Sequence, residues 1–556
     1  MKTILLSLLL SFSSFVCATK AQEAAVDKIF SDWNHVDEPG AAMGIFREGK
    51  IIYSRGYGLA NLEYDIPIDE NSVFRIGSTS KQFTAACIVL LAEQGKLKLT
   101  DSLHSFFPAF PDYAKDITVR QLLHHTSGIR DYLTLSFLKG LGNEDYYEDK
   151  DVMQWLINQK ELNFKPGEQD MYSNSGYWLL SQIVKQVSGM DMAEYAEKNI
   201  FKPLNMHQTH FHNNHKSIVK KRASGYSPKN GEANEFEINM TKLNMIGDGG
   251  IFTTINDIKK WDDAYYDSQI LSKQFWQEMT SEGELNNGKK IGYASGLVIE
   301  KYKGLDAISH GGAFVGYRAE LLRFPEQKFT VAVFANRSDA RPTSMAFQVA
   351  DVFLKEVFKE ELKDELQAST NEELNTQVKP ALFEHLTGDY QIEPGIILTI
   401  SIKDEKLHAF QSWNEKEYDF EPINNAINSY KIVDDKNFIF AFNEFINDQA
   451  QVINLDQNGS QSEWKRIERV DFSDVVQTDF VNDYYSEELD VIFRIQMHEG
   501  ALTLKVGNND PILLKVSAIN QLMFNGFILD FQRQDGAIVG FKMASPGVKN
   551  LSFVKQ

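Results

Sequence analysis

Residues 74–85 read FRIGSTSKQFTA, and they lead into an apolar run, QFTAACIVLLAEQG, that ends near Gly95. The spacing of the apolar residues predicts a helix starting at Ser78, with Gly95 just past its end. Ser78 and Lys81 are three residues apart and share one face of that helix. A serine hydroxyl is a weak nucleophile until a base takes its proton. A lysine can be that base only where its surroundings favour the neutral amine. Alone, the pair reads more simply as a polar helix start, because Ser-x-x-Lys is common by chance.

Two distant segments change its weight. MYSNSGY (residues 171–177) carries Tyr172 and Asn174, which in extended backbone point to the same side. A phenol able to relay a proton would then face one cleft with an amide able to hold a substrate. ISHGGAFVGYRAE (residues 308–320) carries His310, Gly311 and Gly312 between two strand-like runs. Paired glycines let a substrate lie against the backbone as an added strand or in an oxyanion site. Each segment also has a plain reading, a polar turn in one case and a glycine-rich hairpin in the other.

Taken together, Ser-Thr-Ser-Lys (78–81), Tyr-Ser-Asn (172–174) and His-Gly-Gly (310–312) resemble the three motifs of the serine β-lactamase and penicillin-binding-protein superfamily, in order and approximate separation. Tyrosine at the start of the second motif makes the chain similar to the class C β-lactamase, D,D-carboxypeptidase, D-aminopeptidase and esterase branch. The resemblance runs from about Ala24 to Phe358 and includes LLHHTSGIRDY and GDGGIFTTINDIKKW. It implies that Ser78 forms an acyl-enzyme and that Lys81 and Tyr172 share proton transfer. It implies that Asn174 positions substrate and Lys81, and that the N–H groups of Ser78 and Ala313 form the oxyanion hole, with no metal or organic cofactor. His310 would line the substrate side of the pocket with Gly311 and Gly312. It stands where β-lactamases proper usually carry lysine, so a permanent positive charge is lost or made pH-dependent.

The rest of the chain sets the context. MKTILLSLLLSFSSFVCATKAQE has a basic start, a short apolar run and then Ala18 and Ala21, the pattern of a cleaved signal peptide, here taken as residues 1–21. The expectation is an exported protein, periplasmic or secreted, with no stable membrane span after cleavage. The net charge of −20 argues against nucleic-acid binding, since no local basic patch offsets it. Of two cysteines, Cys17 would leave with the signal, and Cys87 reads as a small core residue. Four histidines, His207, His210, His212 and His215, could bind Zn²⁺ or Cu²⁺, but no acidic ligand pattern such as HExxH accompanies them. They read as a loop, and no metal site is expected.

Strand-like segments at both ends of residues 22–362, with helices between, predict an α+β hydrolase domain: an antiparallel sheet flanked by helices, with a helical insertion. Residues 363–380 read as a charged linker. Beyond it, short alternating strands predict two small all-β barrels, residues 381–468 and 469–556. GDYQIEPGIILTISIKDEKLHAF matches NDYYSEELDVIFRIQMHEGALTLKV, and FIFAF at Phe438 matches FILDF at Phe527, which points to duplication. A barrel loop is expected to border the active site and restrict substrate size. Two functional readings follow. One is a serine hydrolase acting on a small peptide, ester or β-lactam. The other is a catalytically weak ligand-binding sensor that keeps the scaffold and uses the barrel mouths.

Overall fold

The structure is a computed structural model. It describes residues 18–142, 144–229, 235–267, 269–359, 383–393, 396–412, 416–423, 428–433, 438–457, 460–468 and 475–556. The expected linker at 363–380 and residues 1–17 of the expected signal lie outside these.

The hydrolase domain is built on one six-stranded antiparallel sheet. Its strands are β1 (Ala41–Arg47), β2 (Lys50–Tyr57), β3 (Val298–Tyr302), β4 (Leu305–Phe314), β5 (Tyr317–Phe324) and β6 (Phe329–Ala335). The order across the sheet is β3-β4-β5-β6-β1-β2, so the two ends of the domain meet at the β6–β1 pair. In the central strands β1, β5 and β6 both faces are buried, and the residues alternate between them with period two. Met43, Ile45, Val331 and Val333 pack with helices α1 (Lys20–Ile29) and α6 (Pro342–Leu354). Ala42, Phe46, Ala332 and Phe334 face the helical section inserted between β2 and β3. The turn joining β1 to β2 has Glu48 and Gly49 at positive φ, which suits the twist of a tight hairpin. Helix α1 begins at Lys20 with a Thr19 capping box, so it takes in the last two residues assigned to the signal peptide.

The inserted section carries α2 (Lys81–Glu93), α3 (Tyr132–Leu138), α4 (Asn174–Ser188) and α5 (Ile255–Tyr266). Helix α2 is apolar all round and sits in the domain core, with Phe83 against Trp261 of α5. Its start differs from the expected one. Gly77–Ser80 form a 3₁₀ turn, and the α-helix begins only at Lys81. Its end is a Schellman cap: Gly95 N–H donates to Ala92 O, and Lys96 N–H donates to Leu91 O.

Two β units follow. The first is a closed eight-stranded antiparallel barrel from Gly388 to Ile467, with a core of its own that includes Tyr390, Phe420, Tyr430 and Phe442. The second is a nine-stranded sheet from Asn482 to Lys555. Its two edge strands, Ile512–Leu513 and Lys515–Ala518, are separated by one residue, so it is a nearly closed barrel. The duplication appears in side chains as well as strand order. Tyr390 and Tyr484 are the tyrosines of the two matched Asp-Tyr pairs, and both are buried. Each follows a 3₁₀ turn and donates to the carbonyl four residues back, Leu386 O at 2.8 Å and Phe480 O at 2.9 Å. The copies differ in the middle, where the second has the two short strands.

The second barrel shares a continuous apolar core with the hydrolase domain. Phe527 stacks on Phe137 of α3, with ring centres 5.3 Å apart. Arg130 and Glu488 form a buried ion pair across the boundary at 2.6 Å, and Glu488 also accepts from Lys160 N–H. The tip of the last hairpin reaches furthest. Gly547 O accepts from Asp131 N–H and from Asn163 Nδ2.

Candidate active site

Ser78 sits in the 3₁₀ turn at the head of α2 because the chain before it makes two sharp adjustments. Phe74–Arg75 form a short strand paired with Ile251–Thr253, and Gly77 then turns at φ 50°. Gly77 backs onto the end of β4, where a Cβ would lie 2.8 Å from Ala313 N. Gly312 meets the same turn from the other side, and a Cβ there would lie 2.0 Å from Ile76 O. Thr79 Oγ1 donates to His310 O at 3.0 Å. The first and third motifs therefore lock together backbone to backbone. The Gly312 gap is filled by Ile76 of the same chain rather than left open to substrate, and Glu320 Oε2 lies 3.1 Å from a Cβ on Gly311. Ser78 and Ala313 both line the resulting cleft, which has a volume of about 230 Å³.

Lys81 joins the motifs. Its side chain is fully buried, and Nζ lies 3.1 Å from Ser78 Oγ, 2.9 Å from Asn174 Oδ1 and 2.6 Å from Asp248 O. The last two atoms can only accept. Nζ donates to both, and its third short contact is the serine hydroxyl. The ring of Tyr172 lies 4.7 Å from Nζ on the cleft side and is 42% exposed. Asn174 is the first residue of α4, and its N–H donates to Asp131 Oδ2 at 2.6 Å. Tyr172 and Asn174 thus reach Lys81 together, although the backbone is extended only up to Ser173.

Behind Tyr172 is an aromatic wall. His125 packs on Tyr172 at 4.2 Å and on Tyr293 at 4.7 Å. Its Nδ1 accepts from Ser173 N–H, so the ring proton is on Nε2. Burial pushes its pKa well below the ordinary value. His310 donates from Nδ1 to Gly311 O and accepts from Tyr293 OH at 2.9 Å on Nε2. Burial, reinforced by the Lys81 charge, pushes it down to about 4. It is therefore a neutral imidazole at neutral pH.

The sequence-predicted residues thus fall into two groups. Ser78, Tyr172, Asn174 and Ala313 line the cleft, and Lys81 lies directly beneath them. His310, Gly311 and Gly312 do not line it. His310 was expected on the substrate side, but its ring is buried behind Tyr172, held by Tyr293 OH and Gly311 O. Among the described residues no barrel residue lines the cleft, and the hairpin at Gly547 meets Asp131, next in sequence to the cleft-lining Tyr132 and Leu133.

Several site residues were not foreseen. Asp248 acts on Lys81 through its backbone carbonyl, and its buried carboxylate accepts from Tyr132 OH at 2.9 Å. Burial raises its pKa. GDGG was visible as a motif, but a carbonyl contact carries no residue-type signal. Arg75 lines the cleft from within the opening stretch itself. The histidine cluster does not converge. His210 Nε2 and His212 Nδ1 are 3.3 Å apart, while His215 turns to Asn244. Among the described residues no group of three or more His, Cys, Asp or Glu side chains could hold a metal ion. Cys87 is free and buried, and burial pushes its thiol pKa up.

A sheet backed by helices, with a buried lysine under a serine at a helix start, defines a serine hydrolase scaffold of the penicillin-binding-protein type. The Beta-lactamase family model matches residues 26–353, and the chain belongs to that family. It is 28% identical over 378 residues to penicillin-binding protein 4* of Bacillus subtilis, covering 65% of this chain and 81% of that one. It is 25% identical to a D-aminopeptidase of Gluconobacter oxydans, over 55% of this chain and 58% of the relative's length. The octameric penicillin-binding protein homologue of Pyrococcus abyssi superposes with a TM-score of 0.56 at 24% identity, covering 80% of this chain and 99% of that one. A penicillin-binding protein of Bacillus halodurans gives 0.51 at 27% identity, covering 58% and 96%.

Proposed function

We propose that the protein is an exported serine hydrolase that cleaves an amide or ester of a small peptide, D-amino-acid derivative or ester through an acyl-enzyme on Ser78. The observation that carries this reading is the Lys81 amine held beneath Ser78 Oγ by Asn174 Oδ1 and Asp248 O. The similarity to D-aminopeptidases supports the D-amino-acid preference.

In the proposed reaction Ser78 Oγ attacks the substrate carbonyl, and its proton passes to Lys81 Nζ. The carbonyl oxygen takes the negative charge between the N–H groups of Ser78 and Ala313, a contribution of about 3 kcal/mol per donor in comparable sites. The proton then returns through Lys81 and the Tyr172 hydroxyl to the leaving nitrogen or oxygen. Water repeats the sequence on the acyl-enzyme and regenerates Ser78. With His310 neutral and set in the wall behind Tyr172, the third motif offers no fixed charge there, so efficient β-lactam turnover is not expected.

The test is labelling by a fluorophosphonate or a fluorescent penicillin. Labelling of the intact chain and none of Ser78→Ala supports the reading, and equal labelling of both refutes it. A panel of D-aminoacyl amides, peptides, esters and nitrocefin then ranks substrates. The sensor alternative gains no support from the first barrel, whose core is filled by aromatic side chains such as Tyr430, Phe440 and Phe442.

A further inference from the structure

Two ionisable side chains line the cleft, Asp248 and Arg75, and Lys81 lies beneath it. Lys81 meets three acceptors and Asp248 accepts from Tyr132 OH. Arg75 is different. Its side chain lines the cleft and is only 6% exposed. Among the described residues it has no hydrogen-bond acceptor and no carboxylate within 4 Å, and its buried Nε is unpartnered. Its guanidinium carbon lies 5.1 Å from the centre of the Phe314 ring and 5.8 Å from that of Phe252, and the nearest acid acting on it, Asp248, does so through space without an ion-pair contact. Ring faces partly offset the loss of water but leave the in-plane N–H fork unused. Two other buried arginines among the described residues each meet a carboxylate, Arg130 that of Glu488 and Arg323 that of Asp262. A buried cation without a hydrogen-bonded acceptor is costly, and at the edge of a cleft a bound anion can supply the acceptor.

Its position specifies that ligand. Arg75 precedes Ser78 by one turn of chain, and Phe314 follows Ala313, so the guanidinium borders the same small cleft as the nucleophile and the oxyanion N–H groups. A planar carboxylate fits the guanidinium fork with two parallel hydrogen bonds. We infer that Arg75 is a subsite for a substrate carboxylate, and that the protein prefers anionic acyl-transfer substrates to their neutral counterparts. The subsite supplies from the first motif the charge that the neutral His310 of the third motif lacks. This rests on the reading of Ser78 as nucleophile.

The experiment uses the full chain carrying Ser78→Ala, so that ligands bind without turnover, and isothermal titration. One arm compares N-acetyl-D-alanyl-D-alanine with its C-terminal amide, which puts the carboxylate on the leaving-group side. The other compares N-succinyl-D-alaninamide with N-butyryl-D-alaninamide, which puts it on the acyl side. The expected result is a preference of about 10- to 100-fold for the carboxylate in one arm. It should fall to near parity in Ser78→Ala/Arg75→Gln and to an intermediate value with Arg75→Lys, which keeps the charge without the fork. No preference in either arm overturns the inference, and so does a preference that survives both Arg75 changes. If Arg75→Gln fails to fold, Arg75→Lys alone decides, because an undiminished preference there refutes the role of the fork. The two readings fail separately. A carboxylate preference with no acylation of the intact chain sinks the hydrolase and keeps the subsite, and acylation without the preference does the reverse.

Discussion

Replacing Glu488 by alanine should loosen the second barrel from the hydrolase domain by about 3–4 kcal/mol. The figure comes from what the carboxylate touches. Glu488 Oε2 lies 2.6 Å from Arg130 Nη1, with side-chain exposures of 6% and 0%. Water cannot take its place, so the value is that of a broken buried pair, about 3–5 kcal/mol, not the small value of an exposed one. Arg130 keeps two neutral acceptors, Gln159 Oε1 at 2.8 Å and Lys549 O at 3.1 Å, which moves the figure toward the lower end of that range. The lost acceptor of Lys160 N–H adds little, because that residue is partly exposed. The assay is urea unfolding read by pulse proteolysis of the hydrolase domain, on Glu488→Ala, Arg130→Met and the double variant. The double variant should cost less than the sum of the singles, because no charge is left stranded. A Glu488→Ala loss below about 1 kcal/mol, or additive losses, would refute a dry, coupled pair.

Other outcomes follow from the same geometry. Lys81→Ala should lower acylation of Ser78 by about 10²–10⁴-fold, measured by fluorophosphonate labelling rate, while leaving the fold intact by circular dichroism. Gly312→Ala would put a Cβ 2.0 Å from Ile76 O and should displace the turn carrying Ser78, giving a lower melting temperature together with loss of labelling. Glu320, buried on β5, is pushed up to about 7 by burial, so its stabilising contribution is full below its ordinary pKa of 4.5 and is lost as pH rises through about 7. Glu320→Gln should therefore gain on the parent between pH 4.5 and 8 by up to about 3 kcal/mol, read as the difference in unfolding free energy across that window. Gly547→Val would place a side chain 3.0 Å from Asp131 Cβ at a φ of 99° and should weaken barrel docking, seen as faster proteolytic release of the C-terminal region.

The parts of this site that were legible in sequence are those where a residue type is itself the chemistry. Ser78, Lys81, Tyr172 and Asn174 were readable because each carries a reactive or hydrogen-bonding group and the three segments stand in one recognisable order. The sheet was legible because both faces of its central strands are buried and apolar runs mark its strands, such as KFTVAVFAN around β6. The place of His310 was concealed because the four residues Ala307–His310 on β4 are all buried, so alternation there cannot say which side meets the cleft. Asp248 was hidden because it works through a main-chain carbonyl. Arg75 stood in plain view, but a buried unpaired guanidinium is a statement about absent neighbours, and only coordinates give those. The barrels were legible from the period-two pattern and the repeated Asp-Tyr, while the docking of the second depended on Glu488, one acid among many on an acidic chain.

The second barrel reaches the chemistry without touching the cleft. Gly547 O accepts from Asp131 N–H, Asp131 Oδ2 accepts from Asn174 N–H, and Asn174 Oδ1 accepts from Lys81 Nζ. Three hydrogen bonds thus connect a hairpin tip in the last domain to the amine beneath the nucleophile. Asp131 also caps α3 by accepting from Thr134 N–H, so its carboxylate is held at both oxygens. A site of this kind loses rate when its orienting groups drift by even an ångström. The barrel's apolar contact with α3 and the buried Arg130–Glu488 pair fix the segment that carries Asp131. Of the two duplicated barrels, only the second shares its core with the hydrolase domain, while the first keeps a separate one. The docked copy is therefore best understood as part of the frame that sets Asn174, and through it Lys81, rather than as a filter for what enters.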